Sequence, residues 1–431
     1  MSKKLRVKAS KFIDETSRVS FKFNGKIYYG FNGDTLASAL IANDVHLVGR
    51  SFKYHRPRGI MTAGSEEPNA IVQVNDNTAY TEPNVRATEI EIYEGLEASS
   101  QNCWPSVQFD VGGINNILSP ILPAGFYYKT FMWPASFWEK YEYVIRHSAG
   151  LGKSPKIADP DIYDHRYIHC DVLVIGAGIA GIMAAKTAAK NNLKTLILDE
   201  KTEIGGTTIY QNSDNFKIDN EISSDWLNNE INELKKLDNL EIKTRTSVAA
   251  YHGYNYLLAR ENLTDHLSKS EKQNKIRQRL LKIRAKKVIV ATGSLERPFI
   301  FNNNDRPGIM LASAIKKYAD YYGVVCGKKN VFFTNNDTAY ESVISLYKKG
   351  IKVQGIVDIR EKSESSIIKE AQVLGIKIYW SHTIVDTLGY KKLKQISIME
   401  LSKEPVATIT FLALIFKSLC LILFCFLLVF K

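Results

Sequence analysis

The sequence has few cysteines, and their spacing excludes several classes of site. Five cysteines occur in 431 residues, and no two of them form a C-x-x-C pair. A structural zinc site or an iron–sulfur cluster needs several closely spaced cysteine or histidine ligands. The redox-active pair of a disulfide reductase is missing for the same reason. The sequence therefore predicts no metal site and no disulfide-reductase chemistry.

An apolar segment of signal-peptide length is missing from the start of the sequence, which reads Met-Ser-Lys-Lys-Leu-Arg. This absence predicts a body that folds in a reducing cytoplasm. A long apolar run is found instead at residues 407–430. It is long enough to cross a bilayer, which takes about 20 residues, although Lys417 near its middle is costly there. A membrane anchor at residues 407–430 stays open as the alternative to a cytoplasmic protein.

The net charge of +12 raises the question of a nucleic-acid or anionic-membrane partner. The lysines and arginines are spread along the chain among many asparagines and isoleucines. The basic stretch at residues 269–277 is more typical of a solvated face than of a nucleic-acid site. We therefore predict no nucleic-acid partner.

A glycine-rich turn is the most informative motif in the sequence. An apolar strand runs into Gly176-Ala-Gly-Ile-Ala-Gly181, and an alanine-rich helical pattern follows. Gly176 allows a sharp turn, Gly178 leaves room for a pyrophosphate, and Gly181 lets the helix pack close to the strand. The amides at the start of such a helix favour a diphosphate. This context favours a dinucleotide site over an ordinary tight turn before a buried helix.

Three later positions extend the dinucleotide prediction. The next strand ends in Asp199 and Glu200, about twenty residues beyond the turn, where an acid that binds ribose hydroxyls is expected. In the glycine-containing loop that follows, the Thr207 hydroxyl can reach a phosphate. A further strand is expected to present the backbone of Val248 to the adenine edge.

An apolar strand that ends in Ala291-Thr-Gly293 and is followed by Pro298 indicates a second nucleotide lobe. This pattern is typical of oxidoreductases with two dinucleotide-binding lobes. At the place of a second glycine fingerprint the sequence has Thr334-Asn-Asn-Asp337, and Asp337 would repel a diphosphate. We expect this lobe to keep its βαβ architecture without ordinary dinucleotide binding.

The N-terminal part predicts a different module. Residues 18–30 alternate apolar and polar side chains around Asn24-Gly25, a strong hairpin signal. A helix over residues 34–43 with Asp34 as N-cap follows, and the next expected strands are residues 70–74 and 87–93. This order resembles the β-grasp ferredoxin-like module of some amine-oxidising enzymes.

The loop that carries cluster cysteines in ferredoxins corresponds to residues 49–64, which contain none. His55 has no evident partner ligand, so a metal site there is not expected. The arginines of this loop are predicted to contact an acidic surface or a cofactor phosphate.

The patterns together predict an α/β protein with a Rossmann-like fold of two dinucleotide-binding lobes, preceded by a β-grasp ferredoxin-like module without cluster cysteines. The expected parts are a mobile N-terminus (1–17), the β-grasp module (18–100), an aromatic and proline-rich packing arm and linker (101–165), the NAD-binding two-lobed domain, incomplete at its end (166–406), and the apolar tail (407–431). Within the two-lobed domain we expect a helix at 222–237, a small sheet pairing 253–260 with 278–283, an exposed polar excursion at 269–277, and strands at 353–357, 376–379 and 396–401.

Several long stretches together resemble one family, the alpha subunit of heterotetrameric sarcosine oxidase. The stretches are residues 33–40, 50–59, 66–69, 82–87, 125–134, 169–178, 291–298 and 334–337. The resemblance implies a subunit of a flavoenzyme complex that oxidatively demethylates sarcosine to glycine and forms hydrogen peroxide and methylene-tetrahydrofolate. It also implies beta, gamma and delta partner subunits, with FAD and FMN mainly on the beta subunit.

The resemblance further implies that NAD binds in the first lobe of this chain. The matching positions are Gly176, Gly178, Ala180, Gly181, Asp199, Glu200, Lys201, Thr207 and Val248. No residue is assigned a catalytic role, because the chemistry is expected on the partner subunit.

The sequence departs from the family near residue 407, where family members continue into a folate-binding domain. This departure predicts a truncated alpha subunit. A related amine or opine oxidase subunit, a stand-alone NAD-linked flavoprotein, and a noncatalytic NAD-binding scaffold or fragment stay open as alternatives.

Overall fold

The computed structural model describes residues 5–121, 133–148, 150–210 and 216–401. The apolar tail and most of the motif at residues 125–134 lie outside the described residues. The strands are β1 (Asp14–Phe23), β2 (Lys26–Asn32), β3 (Gly49–Arg50), β4 (Pro57–Arg58), β5 (Ile71–Val74), β6 (Glu82–Arg86), β7 (Leu96–Ser100), β8 (Ile162–Ile175), β9 (Thr195–Leu198), β10 (Lys217–Ile218), β11 (Glu221–Ile222), β12 (Leu240–Lys243), β13 (Thr246–His252), β14 (Tyr256–Asn262), β15 (Ile276–Val290), β16 (Asn330–Thr334), β17 (Val353–Asp358), β18 (Ile378–Trp380), β19 (His382–Gly389) and β20 (Leu393–Glu400).

The helices of the described residues differ widely in length. They span Leu36–Ala42, Ile114–Ile117, Trp138–Ser148, Ile179–Lys190, Ser223–Leu234, Lys269–Lys272, Ala312–Asp320, Thr338–Lys348 and Ser366–Val373. Within the part of the chain that the structure describes, none of them is long and apolar enough to cross a membrane.

The N-terminal module is a five-stranded sheet in the order β2-β1-β7-β5-β6. The hairpin prediction is confirmed, because Asn24 and Gly25 link β1 to β2 with φ values of 50° and 75°. Helix Leu36–Ala42 packs on the sheet and is buried at every position. Full burial of one large apolar side chain stabilises the fold by about 1.5 to 3 kcal/mol, so this helix anchors the module.

Two details of the module differ from the prediction. Thr35 rather than Asp34 is the N-cap, because its side chain accepts a hydrogen bond from the Ser38 amide. Residues 87–93 are not a strand. The carbonyls of residues 87 and 90 instead accept the amides of residues 37 and 36, so this segment satisfies the helix N-terminus.

Residues 5–13, which belong to the segment predicted to be mobile, make specific contacts with the rest of the chain. The Leu5 side chain is 4% exposed, and its carbonyl accepts the Val325 amide at 2.9 Å. Arg6 forms an ion pair with the buried Asp34. The segment is therefore a fixed bridge between the module and the chain that follows helix Ala312–Asp320.

The largest sheet has six strands in the order β12-β9-β8-β15-β14-β13. Strands β12, β9, β8 and β15 are parallel, and β14 runs antiparallel to both β13 and β15. The predicted pairing of residues 253–260 with 278–283 is confirmed. It forms no separate small sheet, because β15 continues to Val290 and joins the parallel strands.

The predicted helix at residues 222–237 is confirmed as Ser223–Leu234. The predicted exposed excursion at residues 269–277 is wrong at its end. The Arg277 side chain is 16% exposed and pairs with Glu82, Asp161 and Asp265. The end of the excursion therefore contacts the N-terminal module, whereas residues 269–271 and 273–275 are exposed as predicted.

The second lobe is a three-stranded parallel sheet, β16-β17-β18, with helices Thr338–Lys348 and Ser366–Val373. The expected βαβ architecture is confirmed. Asp337 stands just before the first of these helices and pairs with Arg360 at 2.8 Å. A carboxylate therefore occupies the start of the helix where a diphosphate would need positive potential.

Candidate dinucleotide site

The two outer glycines of the turn are required by close backbone contacts. Gly176 has φ +98°, and a Cβ there would lie 2.4 Å from the Ala291 carbonyl oxygen. A Cβ on Gly181 would lie 1.9 Å from the Gly176 carbonyl oxygen. Both distances are far too short for real atoms, so any side chain would force strand and helix apart. The packing roles predicted for these two glycines are observed.

Gly178 differs from the other two glycines, because a Cβ there would meet nothing within 4 Å. It is the N-cap of helix Ile179–Lys190 and provides no side chain to cap the first amides. Ala180, in the first turn, is exposed. Open space in front of uncapped helix amides suits an anionic group.

The Asp199 carboxylate is fixed at the end of β9. One oxygen accepts the Ala177 amide at 2.7 Å, and the other accepts the Lys201 amide at 2.8 Å. These bonds tie the predicted ribose-binding acid directly to the glycine turn. The neighbouring Glu200 is exposed and accepts a hydrogen bond from the Ser65 hydroxyl at 3.0 Å.

The loop after β9 folds back onto the turn. The Gly205 amide donates to the Ala177 carbonyl at 2.7 Å, and a Cβ on Gly206 would lie 3.0 Å from the Gly178 Cα. Thr207 is exposed on the short turn that follows. Gly205 and Gly206 therefore contact the turn directly and extend the candidate site beyond the predicted residues. Two adjacent glycines in the sequence were the signal from which these contacts could have been predicted.

Val248 lies on β13, the outermost strand at the other side of the six-stranded sheet from β12. The Thr246 amide donates to the Asp199 carbonyl at 2.8 Å, which holds the start of β13 against the end of β9. The Val248 side chain packs on the core under the sheet. Contact of the Val248 backbone with a base stays a prediction.

A cavity of about 340 Å³ lies between the N-terminal module and the six-stranded sheet. Among the predicted residues, Glu200 and Lys201 line it, whereas the turn glycines, Thr207 and Val248 do not. The structure thus brings together the turn, Asp199 and the Gly205–Gly206 loop as one group. Glu200 and Lys201 continue from this group into the cavity.

Lys317 is a cavity residue that the sequence did not reveal. Its Nζ donates to the Ala63 carbonyl at 2.7 Å. Burial, together with repulsion from Lys201, lowers the pKa of Lys317 to about 8. Nothing in the pattern of helix Ala312–Asp320 distinguishes this lysine from solvated ones.

The lowered pKa of Lys317 gives a pH prediction. The unfolded chain keeps the proton up to about pH 10.5, whereas the folded lysine loses it near pH 8. The unfolding free energy therefore rises with pH across this window, by up to about 3 kcal/mol. Lys317→Met is expected to remove this rise in urea unfolding curves at pH 7.5 to 10.5. Lys275→Met, at an exposed lysine, should keep it, and an equal slope in both variants would contradict the assignment.

Arginines of the loop at residues 49–64 contact carboxylates of the same chain. Arg56 and Arg58 each pair with Asp305 at 2.7 Å. The His55 side chain has a hydrogen-bond partner, because its Nδ1 lies 2.7 Å from a carboxylate oxygen of the buried Asp110. The expected acidic contact is thus a carboxylate of this chain. Contact of this loop with a cofactor phosphate stays a prediction.

Two family models match this sequence. Residues 16–103 match the 2Fe-2S iron-sulfur cluster binding domain, and residues 170–334 match the pyridine nucleotide-disulphide oxidoreductase family. The residues present do not fit a cluster, because Cys103 is the sole cysteine in the first match and burial raises its pKa to about 11. In the described residues, no group of three or more ligand side chains could hold a metal.

Two curated relatives are sarcosine oxidase alpha subunits. The protein from Rhizobium meliloti (strain 1021) is 46% identical over 372 residues, which are 85% of this chain and 37% of that protein. The protein from Corynebacterium sp. (strain P-1) is 32% identical over 396 residues, 91% of this chain and 36% of that protein. The chain thus spans a little over a third of the length of these relatives.

A solved structure supports the fold. L-proline dehydrogenase from P. horikoshii aligns with a TM-score of 0.58 at 18% identity, covering 92% of this chain and 59% of that chain. The fold is therefore an α/β oxidoreductase fold with a ferredoxin-like domain before the nucleotide-binding domain. From the identity over most of its length, this chain is a homologue of the sarcosine oxidase alpha subunits.

Proposed function

We propose that this chain is the NAD-binding alpha subunit of a sarcosine-oxidase-like flavoenzyme complex. The observation that carries the proposal is the geometry of the turn. Gly176 and Gly181 are fixed by backbone contacts, whereas the space in front of Gly178 is open. The Asp199 carboxylate accepts a hydrogen bond from the Ala177 amide of the same turn, which supports its assignment to this site.

The residues present fit NAD. The amides after Gly178 would receive the diphosphate, and Asp199 and Glu200 would accept hydrogen bonds from ribose hydroxyls. A bound NAD supplies a hydride-accepting nicotinamide. The residues of this chain hold and orient the dinucleotide, and none is assigned a catalytic role.

The reaction belongs to the proposed complex. It is the oxidative demethylation of sarcosine to glycine, with formation of hydrogen peroxide and methylene-tetrahydrofolate. Under this proposal the partners are beta, gamma and delta subunits, and FAD and FMN lie mainly on the beta subunit. The names of the relatives support the alpha-subunit role, and the proposal extends that role to this chain.

A noncatalytic NAD-binding scaffold is the second candidate. The Asp337–Arg360 ion pair favours it, because this pair fills the start of the second lobe's helix with fixed charges. A scaffold of this kind would bind NAD and a partner subunit without supporting catalytic turnover.

Co-expression with a flavin-binding beta subunit from the same organism tests the proposed function. We expect the two chains to co-purify and to produce hydrogen peroxide when sarcosine is added. A complex without sarcosine-dependent peroxide would favour the scaffold, and a chain that never binds the beta subunit would contradict the proposal. The beta subunit expressed alone is the control for background activity.

A further inference from the structure

An apolar stripe faces solvent in the segment that follows the N-terminal module. It runs along the short 3-10 helix Val111–Gly113 and the helix Ile114–Ile117 that continues it. The apolar stripe consists of Val111, Ile114, Ile117 and Leu118, and all four residues are exposed. Residues three and four positions apart lie on the same face of a helix, so these four form one surface. A helix of a globular protein normally turns such a face toward a core.

Two aromatic residues of the loop that leads into the apolar stripe enlarge this surface. The Val111 amide donates to the Trp104 carbonyl at 2.8 Å, so Trp104 lies beside the start of the stripe. Trp104 is 71% exposed and Phe109 is 70% exposed. Aromatic side chains bury about 150 to 250 Å² each, so these two alone present roughly 300 Å². With the aliphatic residues, the surface approaches the about 800 Å² that one partner contributes to a standard protein–protein interface.

Buried charged groups hold this loop in place. One oxygen of the Asp110 carboxylate accepts the Trp104 amide at 3.1 Å, and the other lies 2.7 Å from the His55 Nδ1. The Arg50 guanidinium donates to the Val107 carbonyl at 2.7 and 3.0 Å. The side chains of Arg50 and Asp110 are each 1% exposed. The apolar surface is therefore preorganised, which lowers the entropic cost of docking a partner.

Charge limits what can cover the apolar stripe. Residues 101–121 contain no lysine or arginine, and their one acidic residue, Asp110, has a buried side chain. Helices that bind a lipid surface carry lysine and arginine on the face opposite their apolar side, and this segment has neither. A second copy of the chain has the same formal charge of +12, so two copies repel each other. The cores of interfaces between different proteins are depleted of charge and enriched in tryptophan and phenylalanine, as this surface is.

We propose that the apolar stripe, together with Trp104, is the surface on which the flavin-binding partner subunit of the proposed complex docks. The inference rests on the proposed function and deepens it, because it assigns the partner a site on this chain. The partner is expected to have a complementary apolar patch and a net negative charge. The stripe is then buried only in the complex.

Calorimetric titration of the purified full chain with the purified beta subunit from the same organism tests the inference. Ile117→Glu places a charge in the apolar stripe and is expected to weaken the complex at least about 10-fold. Ile27→Glu, at an exposed isoleucine of β2 outside the stripe, is the matched control and should bind as tightly as the unaltered chain. Both variants should keep the unfolding temperature of the unaltered chain, because both side chains are exposed.

Other occupants of the apolar stripe would give different results, and each of these results would overturn the inference. Unchanged affinity of folded Ile117→Glu would show that the beta subunit docks elsewhere. A lower unfolding temperature of Ile117→Glu alone would show that another segment of this chain covers the stripe. Sedimentation of the chain as a dimer, or its binding to phosphatidylglycerol vesicles, would assign the stripe to a second copy or to lipid if Ile117→Glu abolished it and left the affinity for the beta subunit unchanged.

The same titration separates the inference from the proposed function. A beta subunit that binds the unaltered chain and Ile117→Glu equally well would overturn the inference alone. A beta subunit that binds neither of them would overturn the proposed function together with the inference.

Discussion

Replacement of Gly178 by valine is expected to lower NAD affinity at least about 100-fold, equivalent to about 2.7 kcal/mol. The side chain would occupy the open space in front of the helix amides, where a diphosphate must approach. Gly178 has φ −75° and ψ −175°, an extended conformation that valine adopts readily. The folded state should therefore lose less than about 1 kcal/mol, the difference expected for an N-cap change.

Gly181→Ala is the contrasting variant for this experiment. Its Cβ would collide with the Gly176 carbonyl oxygen, so we expect a clear loss of thermal stability. Calorimetric titration and thermal unfolding of both variants separate the two effects. A folded Gly178→Val chain that binds NAD as tightly as the unaltered protein would contradict the site.

Replacement of Arg277 by methionine is expected to lower the unfolding free energy by about 3 kcal/mol, the lower end of the range for breaking a buried ion pair, because Glu82 and Asp265 are partly exposed. Arg277 lies 3.1 Å from Asp161 and 2.6 Å from Asp265 and also pairs with Glu82 of the module. The Asp161 side chain is 9% exposed, and burial raises the pKa of Asp161. Without Arg277, its charge would be left buried and unpaired.

Arg284→Met is the matched control for Arg277→Met. Arg284 is exposed and donates to a backbone carbonyl at 3.0 Å, so its loss should cost less than about 1 kcal/mol. Urea unfolding of the two variants measures the difference. Equal losses would show that the three-carboxylate contact does not hold the domains together.

Much of the local structure could be predicted from the sequence, because these short motifs can adopt only a few backbone conformations. Asn24-Gly25 specifies a tight hairpin, and the glycine turn specifies a strand, a close approach and a helix. Predictions failed where the chain had several local choices. Asp34 and Thr35 are both good capping residues, and only the buried position of Asp34 beside Arg6 decides between them.

Contacts between distant segments could not be predicted from the sequence. Ser65 meets Glu200 across 135 positions, and Arg277 meets Glu82 across 195. No local pattern encodes such pairs, because they depend on how two separately folded units dock. The cavity between the module and the six-stranded sheet results from that docking.

The most direct test of the central claim is calorimetric titration of the purified chain with NAD and, separately, with FAD. We expect one NAD site per chain and no FAD site, because under the proposed function the turn holds NAD and the flavins lie mainly on the partner subunit. A chain that takes up FAD stoichiometrically, or that binds neither nucleotide, would contradict it.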